Sequence, residues 1–303
     1  MNKTCILIIG PTAVGKTSLS VSLAEYFSTS IISCDSRQCF KELSIGVAKP
    51  SAEELDKIPH FFINSHSIQE QMNAALFEEY ALQKVNEIFQ KKNIAVMVGG
   101  TGLYAKSFCQ GMDEVPAINP LIRQKIITNY NNNGFEWLRE QVKNEDKKFF
   151  ISGEMMNPQR LMRALEVKLS TGKSILEFQT KNKKNRDFNI VKIGIELPRP
   201  QLYERINQRV DRMIADGLLD EVKQLQPYRN LNALQTVGYK EMFNHFDGEI
   251  SLQEAIEEIK VNTRHYAKRQ MTWFKKEEDV NWCPPDWAEM KDLVIRYFQK
   301  INL

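Results

Sequence analysis

The sequence predicts an α/β protein, a parallel sheet flanked by helices, with an all-helical segment inserted into it. Three observations carry that prediction. Short, largely apolar runs recur at residues 5–9, 30–33, 94–98 and 191–195, as expected of strands buried on both faces. Segments with helical apolar spacing lie between them. From about Met112 to Phe188 the texture changes to polar, helix-rich segments with few β-branched runs, so the sheet pauses there and resumes afterwards.

Composition sets the outer bounds. The chain has 303 residues, 42% hydrophobic and 26% charged, which is ordinary for a globular protein of one to two domains. A net charge of +3 permits a nucleic-acid partner without demanding one. The cysteines are Cys5, Cys34, Cys39, Cys109 and Cys283, an odd number without a C-x-x-C pair. That pattern argues against a disulfide framework and a zinc ribbon, and it fits a reducing compartment. The apolar run at residues 5–9 is too short for a signal-peptide core, and no stretch approaches the length of a membrane span. A soluble, cytoplasmic protein with no membrane partner is expected, and nothing suggests a dedicated dimer helix, so a monomer is expected too.

The first strand runs directly into Gly10-Pro11-Thr12-Ala13-Val14-Gly15-Lys16-Thr17, and an apolar-periodic segment follows with Leu19, Leu23, Ala24 and Phe27. Strand, glycine-rich loop and helix form the context that the G-x-x-x-x-G-K-[ST] pattern requires. Backbone N–H groups of such a loop converge on phosphate oxygens. Lys16 adds a positive charge, and the Thr17 hydroxyl is placed for Mg²⁺. The fold class is thus a P-loop NTPase-like parallel sheet with flanking helices and an inserted all-helical subdomain.

Residues 30–33 read as a second buried strand, followed by Cys34-Asp35-Ser36-Arg37-Gln38. Ligands of open α/β sheets sit beyond the carboxyl ends of the strands, so Asp35 should emerge on the same edge as the phosphate loop. A turn or N-cap aspartate is the alternative reading. Residues 59–63 read as a strand. Residues 72–91 read as a helix burying Ala75, Leu76, Leu82, Val85, Ile88 and Phe89, with Phe77 and Tyr80 on its flank. The strand at 94–98 ends in Gly99-Gly100-Thr101-Gly102-Leu103-Tyr104, where a P-loop ATPase usually carries a metal-holding aspartate. Two glycines there admit close approach of a ligand, or else mark a tight turn. Either way, the missing aspartate argues against ordinary ATP hydrolysis.

Residues 113–120 look like a hinge into the inserted subdomain, whose helices are expected at 121–130, 134–143 and 158–170. The core is therefore assigned to 1–112 and 189–303, and the insertion to 113–188. The insertion holds 14 Lys/Arg against 10 Asp/Glu and closes on the basic run 181–186, either an interaction surface or a solvated loop. A helix at 203–214 carries Arg205, Arg209 and Arg212 on one face. A long helix at 252–274 is basic in its second half, with Arg264, His265, Lys268 and Arg269 interleaved with Tyr266, Trp273 and Phe274. Basic and aromatic residues together suit RNA, and a solvated basic helix with core aromatics is the alternative.

These motifs in this order resemble the tRNA dimethylallyltransferase family over essentially the whole chain. The resemblance is carried by the phosphate loop; by Asp35-Ser36-Arg37-Gln38 with Ile45-Gly46-Val47-Ala48-Lys49-Pro50; and by Gly99-Gly100-Thr101-Gly102-Leu103-Tyr104. It continues in residues 157–166, in Val237-Gly238-Tyr239-Lys240 and in residues 263–274. Departures occur at Ser44, where the family usually has Asp, at Val47, where it usually has Thr, and at Asn64, where an acidic residue is common. No zinc-finger extension follows Trp287, so the resemblance is to the bacterial type.

The resemblance implies transfer of a dimethylallyl group from dimethylallyl diphosphate to the N6 amine of an adenine beside the anticodon, with release of pyrophosphate. The diphosphate would sit on Gly10, Pro11, Thr12, Ala13, Val14, Gly15, Lys16 and Thr17, with Arg205 or Arg209 reaching it and Mg²⁺ held by Thr17. Asp35 would take the amine proton, with Lys16, Thr17 and Thr101 also catalytic. tRNA would be gripped by Asp35, Ser36, Arg37, Gln38 and Thr101, and by Arg123, Gln159, Arg160, Leu161, Met162 and Arg163 of the inserted tRNA-binding subdomain. Gly238, Tyr239, Lys240, Arg264, Lys268 and Arg269 would hold it from the core. Two alternatives remain open at this point: prenyl transfer to free adenosine nucleotides, and a P-loop nucleotide kinase or NTP-dependent RNA-binding protein.

Overall fold

The computed structural model describes residues 2–116, 118–180 and 183–301. Lys181 and Asn182 of the basic run lie outside the described residues. The chain divides into two compact units, one holding residues up to Gly111 and again from Asn185, the other Met112–Lys184.

Six parallel strands form the sheet of the first unit: β1 (Thr4–Ile9), β2 (Ile31–Ser33), β3 (His60–Phe61), β4 (Ile94–Gly99), β5 (Asn189–Ile195) and β6 (Val280–Cys283), in the order β3-β2-β4-β1-β5-β6. Every residue of β1 and β4 is buried, as strands covered on both faces require. Register aligns Ile9 with Gly99 and Gly194, and Ser33 with Val98. The carboxyl ends of β1, β4 and β2 therefore emerge side by side, and the loops that follow them share one edge. β3 is shorter than the sequence suggests. Phe62 (φ 61°) and Asn64 (φ 52°) adopt left-handed backbone, which ends the extended run. β6 was not expected from the sequence: Val280, Asn281 and Trp282 do not make an apolar run, because this strand pairs at the sheet edge and buries only Cys283.

Helix α1 (Lys16–Phe27) follows the glycine loop, α2 (Ala52–Lys57) starts at a Ser51–Glu54 capping box, and α3 (Ala74–Phe89) starts at Asn73, whose side chain accepts from two N–H groups. The buried face of α3 is Ala74, Phe77, Glu78, Ala81, Val85, Ile88 and Phe89. This corrects the expected face at its start. Leu76 is exposed and Phe77 is core, stacked on Tyr104 with ring centroids 4.5 Å apart. α4 (Gly102–Gln110) completes this half of the unit.

The second unit holds α5 (Pro120–Glu145), α6 (Lys147–Ser152) and α7 (Pro158–Thr171) around its own core of Ile126, Leu138, Val142, Phe149, Leu161 and Leu165. Gly134 (φ 77°, ψ −167°) breaks α5 into two helical halves. On return, the Arg186 guanidinium donates to the Ser107 and Phe108 carbonyls (2.8 Å each) and to Glu78 (2.9 Å), which places the re-entry at Asn185 rather than at the strand itself. Then follow α8 (Arg199–Ala215), α9 (Leu218–Leu225), α10 (Tyr239–Phe246), α11 (Leu252–Phe274) and α12 (Trp287–Ile301). Among the described residues no helix is long and apolar enough to cross a membrane.

Candidate active site

The loop after β1 needs unusual backbone. Gly10 (φ 150°), Ala13 (φ 63°) and Gly15 (φ 103°) all lie at positive φ, and a Cβ on Gly10 would meet the Ile195 carbonyl at 2.5 Å. Val14 is buried in the core, so its contribution to the loop is backbone alone. Lys16 Nζ donates to the Pro11 carbonyl at 2.6 Å, folding the ammonium back across the mouth of the loop. Arg209 Nη1 donates to Thr12 Oγ1 at 3.1 Å, while Arg205 Nη1 reaches the Val14 carbonyl at 3.3 Å from the exposed side. Both arginines thus brace the loop. Burial, with Arg209 alongside, lowers the Lys16 pKa to about 8, and Asp35 pulls it the other way. Burial also lowers Arg209, against the same carboxylate.

Asp35 leaves the end of β2 on the same edge. Its Oδ1 accepts from the Arg37 N–H at 2.9 Å, a short Asx turn, and its own N–H donates to Ser33 Oγ at 3.3 Å. The turn reading of Asp35 is therefore realised, and the residue also emerges on the sheet edge of the phosphate loop. Lys16, Arg37 and Arg209 all feel its charge. Gln38 faces inward from this loop, donating to the Val47 and Ala48 carbonyls and accepting from Ser33 Oγ.

The segment after β4 ties the two loops together. Thr101 Oγ1 accepts the Ser36 N–H at 3.0 Å and donates to Ser36 Oγ at 3.3 Å. The sequence left two readings of the glycines around it open, close approach of a ligand or a tight turn, and the structure adds a third reason for them in the packing of the chain itself. A Cβ on Gly99 would meet the Cys34 backbone at 2.5 Å, one on Gly100 the Gln270 amide at 2.2 Å, and one on Gly102 the Trp273 ring at 2.3 Å. Those spaces are filled by the chain itself. Gln270, buried on α11, donates to the Gly100 carbonyl at 2.8 Å and accepts from the Thr12 N–H at 2.8 Å. It joins the loop after β4 to the loop after β1, and it removes the Thr12 N–H from the donors left for a phosphate.

The IPP transferase family model matches residues 38–277. The chain belongs to the IPP transferase family. It is 50% identical to the tRNA dimethylallyltransferase of Flavobacterium psychrophilum, over 91% of this chain and 92% of that one. Its identity with the enzyme of the same name from Christiangramia forsetii is 46%, over the whole of both chains. Among solved structures it resembles the tRNA isopentenylpyrophosphate transferase of Bacillus halodurans (TM-score 0.71, 34% identity, 98% of this chain and 96% of that chain). It also resembles a eukaryotic dimethylallyltransferase acting on tRNA (TM-score 0.77, 27% identity, 96% and 76%).

The other residues that this IPP transferase was expected to turn toward RNA separate into two groups. Lys240, Lys268 and Arg269 are exposed, and Arg269 lies over the Tyr266 ring at 5.9 Å. Arg264 is half-buried, donating to Asn207 at 2.7 Å. Gly238 is the buried N-cap of α10, and Tyr239 is fully buried with its hydroxyl donated to Glu221 at 2.7 Å. The Tyr239 side chain is consequently a core brace, not a surface contact. In the second unit, Gln159 and Arg160 are exposed, and Arg160 pairs with Glu154. Arg123 and Arg163 approach buried Glu166 at 3.7 and 3.5 Å. Leu161 and Met162 lie on the apolar face of α7 and pack in that unit's core, so their side chains face away from solvent. One residue that sequence reasoning missed is Gln270. A signal existed: it falls on the stripe Ala267, Gln270, Phe274, where a polar residue facing the core needs partners.

Proposed function

We propose that the protein transfers a dimethylallyl group from dimethylallyl diphosphate to N6 of an adenine beside the anticodon of tRNA. The observation that carries this reading is the pairing, on one sheet edge, of a phosphate loop with the Asp35 carboxylate in a member of the IPP transferase family. The diphosphate would lie on the free N–H groups of residues 13–17, with Lys16 and Arg209 offsetting its charge. Cations fixed before the reaction stabilise the pyrophosphate as the allylic carbon–oxygen bond breaks. The N6 nitrogen attacks that carbon and loses a proton to Asp35, whose Oδ1 accepts the Arg37 N–H and whose Oδ2 accepts no hydrogen bond among the described residues. The adenine must leave its stack to reach the site, as for other enzymes that act on a base, and a single-stranded anticodon loop makes that inexpensive.

Mg²⁺ fits this site as an ion carried by the diphosphate. Among the described residues no group of three or more His, Cys, Asp or Glu could hold a metal, and the chain's donor there is the half-buried Thr17 hydroxyl. One hydroxyl plus phosphate oxygens and water is a normal Mg²⁺ shell. When bound, the ion would neutralise charge on the pyrophosphate. Exposed Lys268 and Arg269 supply positive charge for the RNA backbone.

The test is incubation with labelled dimethylallyl diphosphate and unmodified tRNA, followed by nucleoside analysis. Label in N6-dimethylallyladenosine is expected. Label in free adenosine nucleotides alone would favour nucleotide prenylation. Transfer of the ATP γ-phosphate to a small acceptor, with no allylic carbon in tRNA, would replace the reading with a kinase.

A further inference from the structure

The turn at residues 44–46 presents three successive backbone N–H groups to one carboxylate. Glu221 Oε2 accepts from Ser44 at 3.0 Å and Ile45 at 2.7 Å, and Oε1 accepts from Gly46 at 3.0 Å. The Tyr239 hydroxyl donates to the same Oε1 at 2.7 Å. Successive N–H groups converging in this way form an anion-binding concavity. Its occupant here is a side chain of α9, 175 positions away along the chain. The Tyr239 ring lies 2.6 Å from where a Gly46 Cβ would stand, so the turn is seated on the ring as well as fastened to the carboxylate. The turn closes through Ala48 at φ 48°, a conformation that needs such support in a residue with a side chain.

The next links run toward Asp35. Gln38 Nε2 donates to the Val47 and Ala48 carbonyls at 3.4 and 3.0 Å. Gln38 Oε1 accepts from Ser33 Oγ at 3.1 Å, and Ser33 Oγ accepts the Asp35 N–H at 3.3 Å. Hydrogen bonds at either end, joined by the backbone of the 44–48 turn, therefore connect the Glu221 carboxylate to the backbone of Asp35. The phosphate loop is braced by a separate set, Gln270, Arg205 and Arg209.

We propose that Glu221 is a positioning residue for Asp35, a built-in anion that fixes the 44–48 turn and, through Gln38 and Ser33, the loop that carries the base. It touches no substrate. The proposal rests on the reading of Asp35 as the base. A carboxylate is required because two acceptor oxygens serve four donors. Glutamine offers one oxygen and turns an NH₂ group toward an N–H, and aspartate is one methylene too short.

Two variants test it: Glu221→Gln, nearly isosteric, and Glu221→Ala, which empties the concavity. Amide hydrogen exchange is expected to quicken at residues 44–46 and also at 36–38. Turnover with tRNA is expected to fall about 10- to 100-fold, the scale of a misplaced catalytic group, with pyrophosphate affinity within about twofold of wild type. Formate should restore part of the activity of Glu221→Ala but not of Glu221→Gln, whose amide still fills the space. Unchanged exchange at 36–38 while 44–46 opens would overturn the proposal, as would a loss of pyrophosphate affinity matching the loss of turnover. Should Glu221→Ala not fold, the exchange and affinity results for Glu221→Gln still decide. A wild-type protein that transfers nothing would defeat the functional reading, and the exchange pattern would still judge the coupling.

Discussion

The loops after β1 and β2 end at the same sheet edge, on either side of β4, yet they are held in different ways. The phosphate loop supplies its own binding groups, consecutive N–H groups and a Lys16 folded onto Pro11 five residues earlier, and Gln270, Arg205 and Arg209 brace that loop from other elements. The Asp35 loop is fixed from afar, by Thr101 at 65 positions' separation and, through Gln38 and the 44–48 turn, by Glu221 at about 175. Binding a phosphate is a property of backbone, which consecutive residues can specify. Aiming one carboxylate is a property of a side-chain network, which the fold must assemble. The two loops should accordingly fail in different ways when perturbed.

The largest separation is expected from Asp35→Ala. Removing a general base costs about 10²- to 10⁴-fold in turnover. Pyrophosphate affinity, measured by calorimetry, should stay near wild type, because the contacts proposed for the diphosphate lie on the other loop. A loss below tenfold would mean that another group takes the proton, and the division between the loops would fall with it.

The phosphate loop has its own signature in pH. Lys16 titrates near pH 8 in the free protein because burial and Arg209 disfavour its charge. A bound diphosphate favours the ammonium and raises that pKa. Below pH 8 the lysine is already charged, so affinity should be flat. Above pH 8 binding must take up a proton, and affinity should fall by up to about tenfold per pH unit until the bound-state pKa is passed. Lys16→Met should bind weakly at all pH values and lose this slope. A slope that survived the substitution would assign the titration elsewhere.

Gln270→Leu probes a residue that reaches from the phosphate loop to the segment behind the Asp35 loop. It leaves the Thr12 N–H and the Gly100 carbonyl without partners, and each such buried group costs about 1–3 kcal/mol. Unlike the first two changes, it should move both quantities together: pyrophosphate affinity and turnover each reduced about tenfold, with a lower Tm. A change in only one would show that the loops are not joined there.

How much of this was legible in the sequence follows the same division. The strand–loop–helix at residues 4–27 was readable because periodicity and motif are local, and Asp35 could be placed on the right edge because strand ends share one side of a parallel sheet. The core face of α3 was misread at its start because Leu76 and Phe77 are equally apolar, and only packing against Tyr104 decides between them. Gly99 and Gly100 could be read as room for a ligand or as a tight turn, and neither reading shows what packs on them and on Gly102. Their neighbours Cys34, Gln270 and Trp273 are brought in by the fold, and nothing local announces them. Glu221 was illegible for the same reason: on an amphipathic helix beside Asp220 it reads as one more solvated carboxylate, while its partners are three backbone N–H groups of a distant turn and the Tyr239 hydroxyl, which only the fold brings to it.

Thr101→Val gives the smallest expected effect and the finest cut through the comparison. The sequence placed the Thr101 hydroxyl on the substrate, whereas the structure occupies it with the Ser36 N–H and Oγ. Valine keeps the shape and removes the hydroxyl. If Thr101 is an anchor for the Asp35 loop, the Ser36 N–H loses its acceptor, worth about 1 kcal/mol, together with the longer hydroxyl contact to Ser36 Oγ, and turnover should fall only about fivefold with a small drop in Tm. Thr101→Ser should behave as wild type, because the acceptor remains. If the hydroxyl instead touches the reacting base, valine should cost about 100-fold or more with no change in Tm, since its contribution would appear only with substrate bound. The ratio of the two losses therefore tells whether this side of the site works by holding its own loop or by touching the substrate.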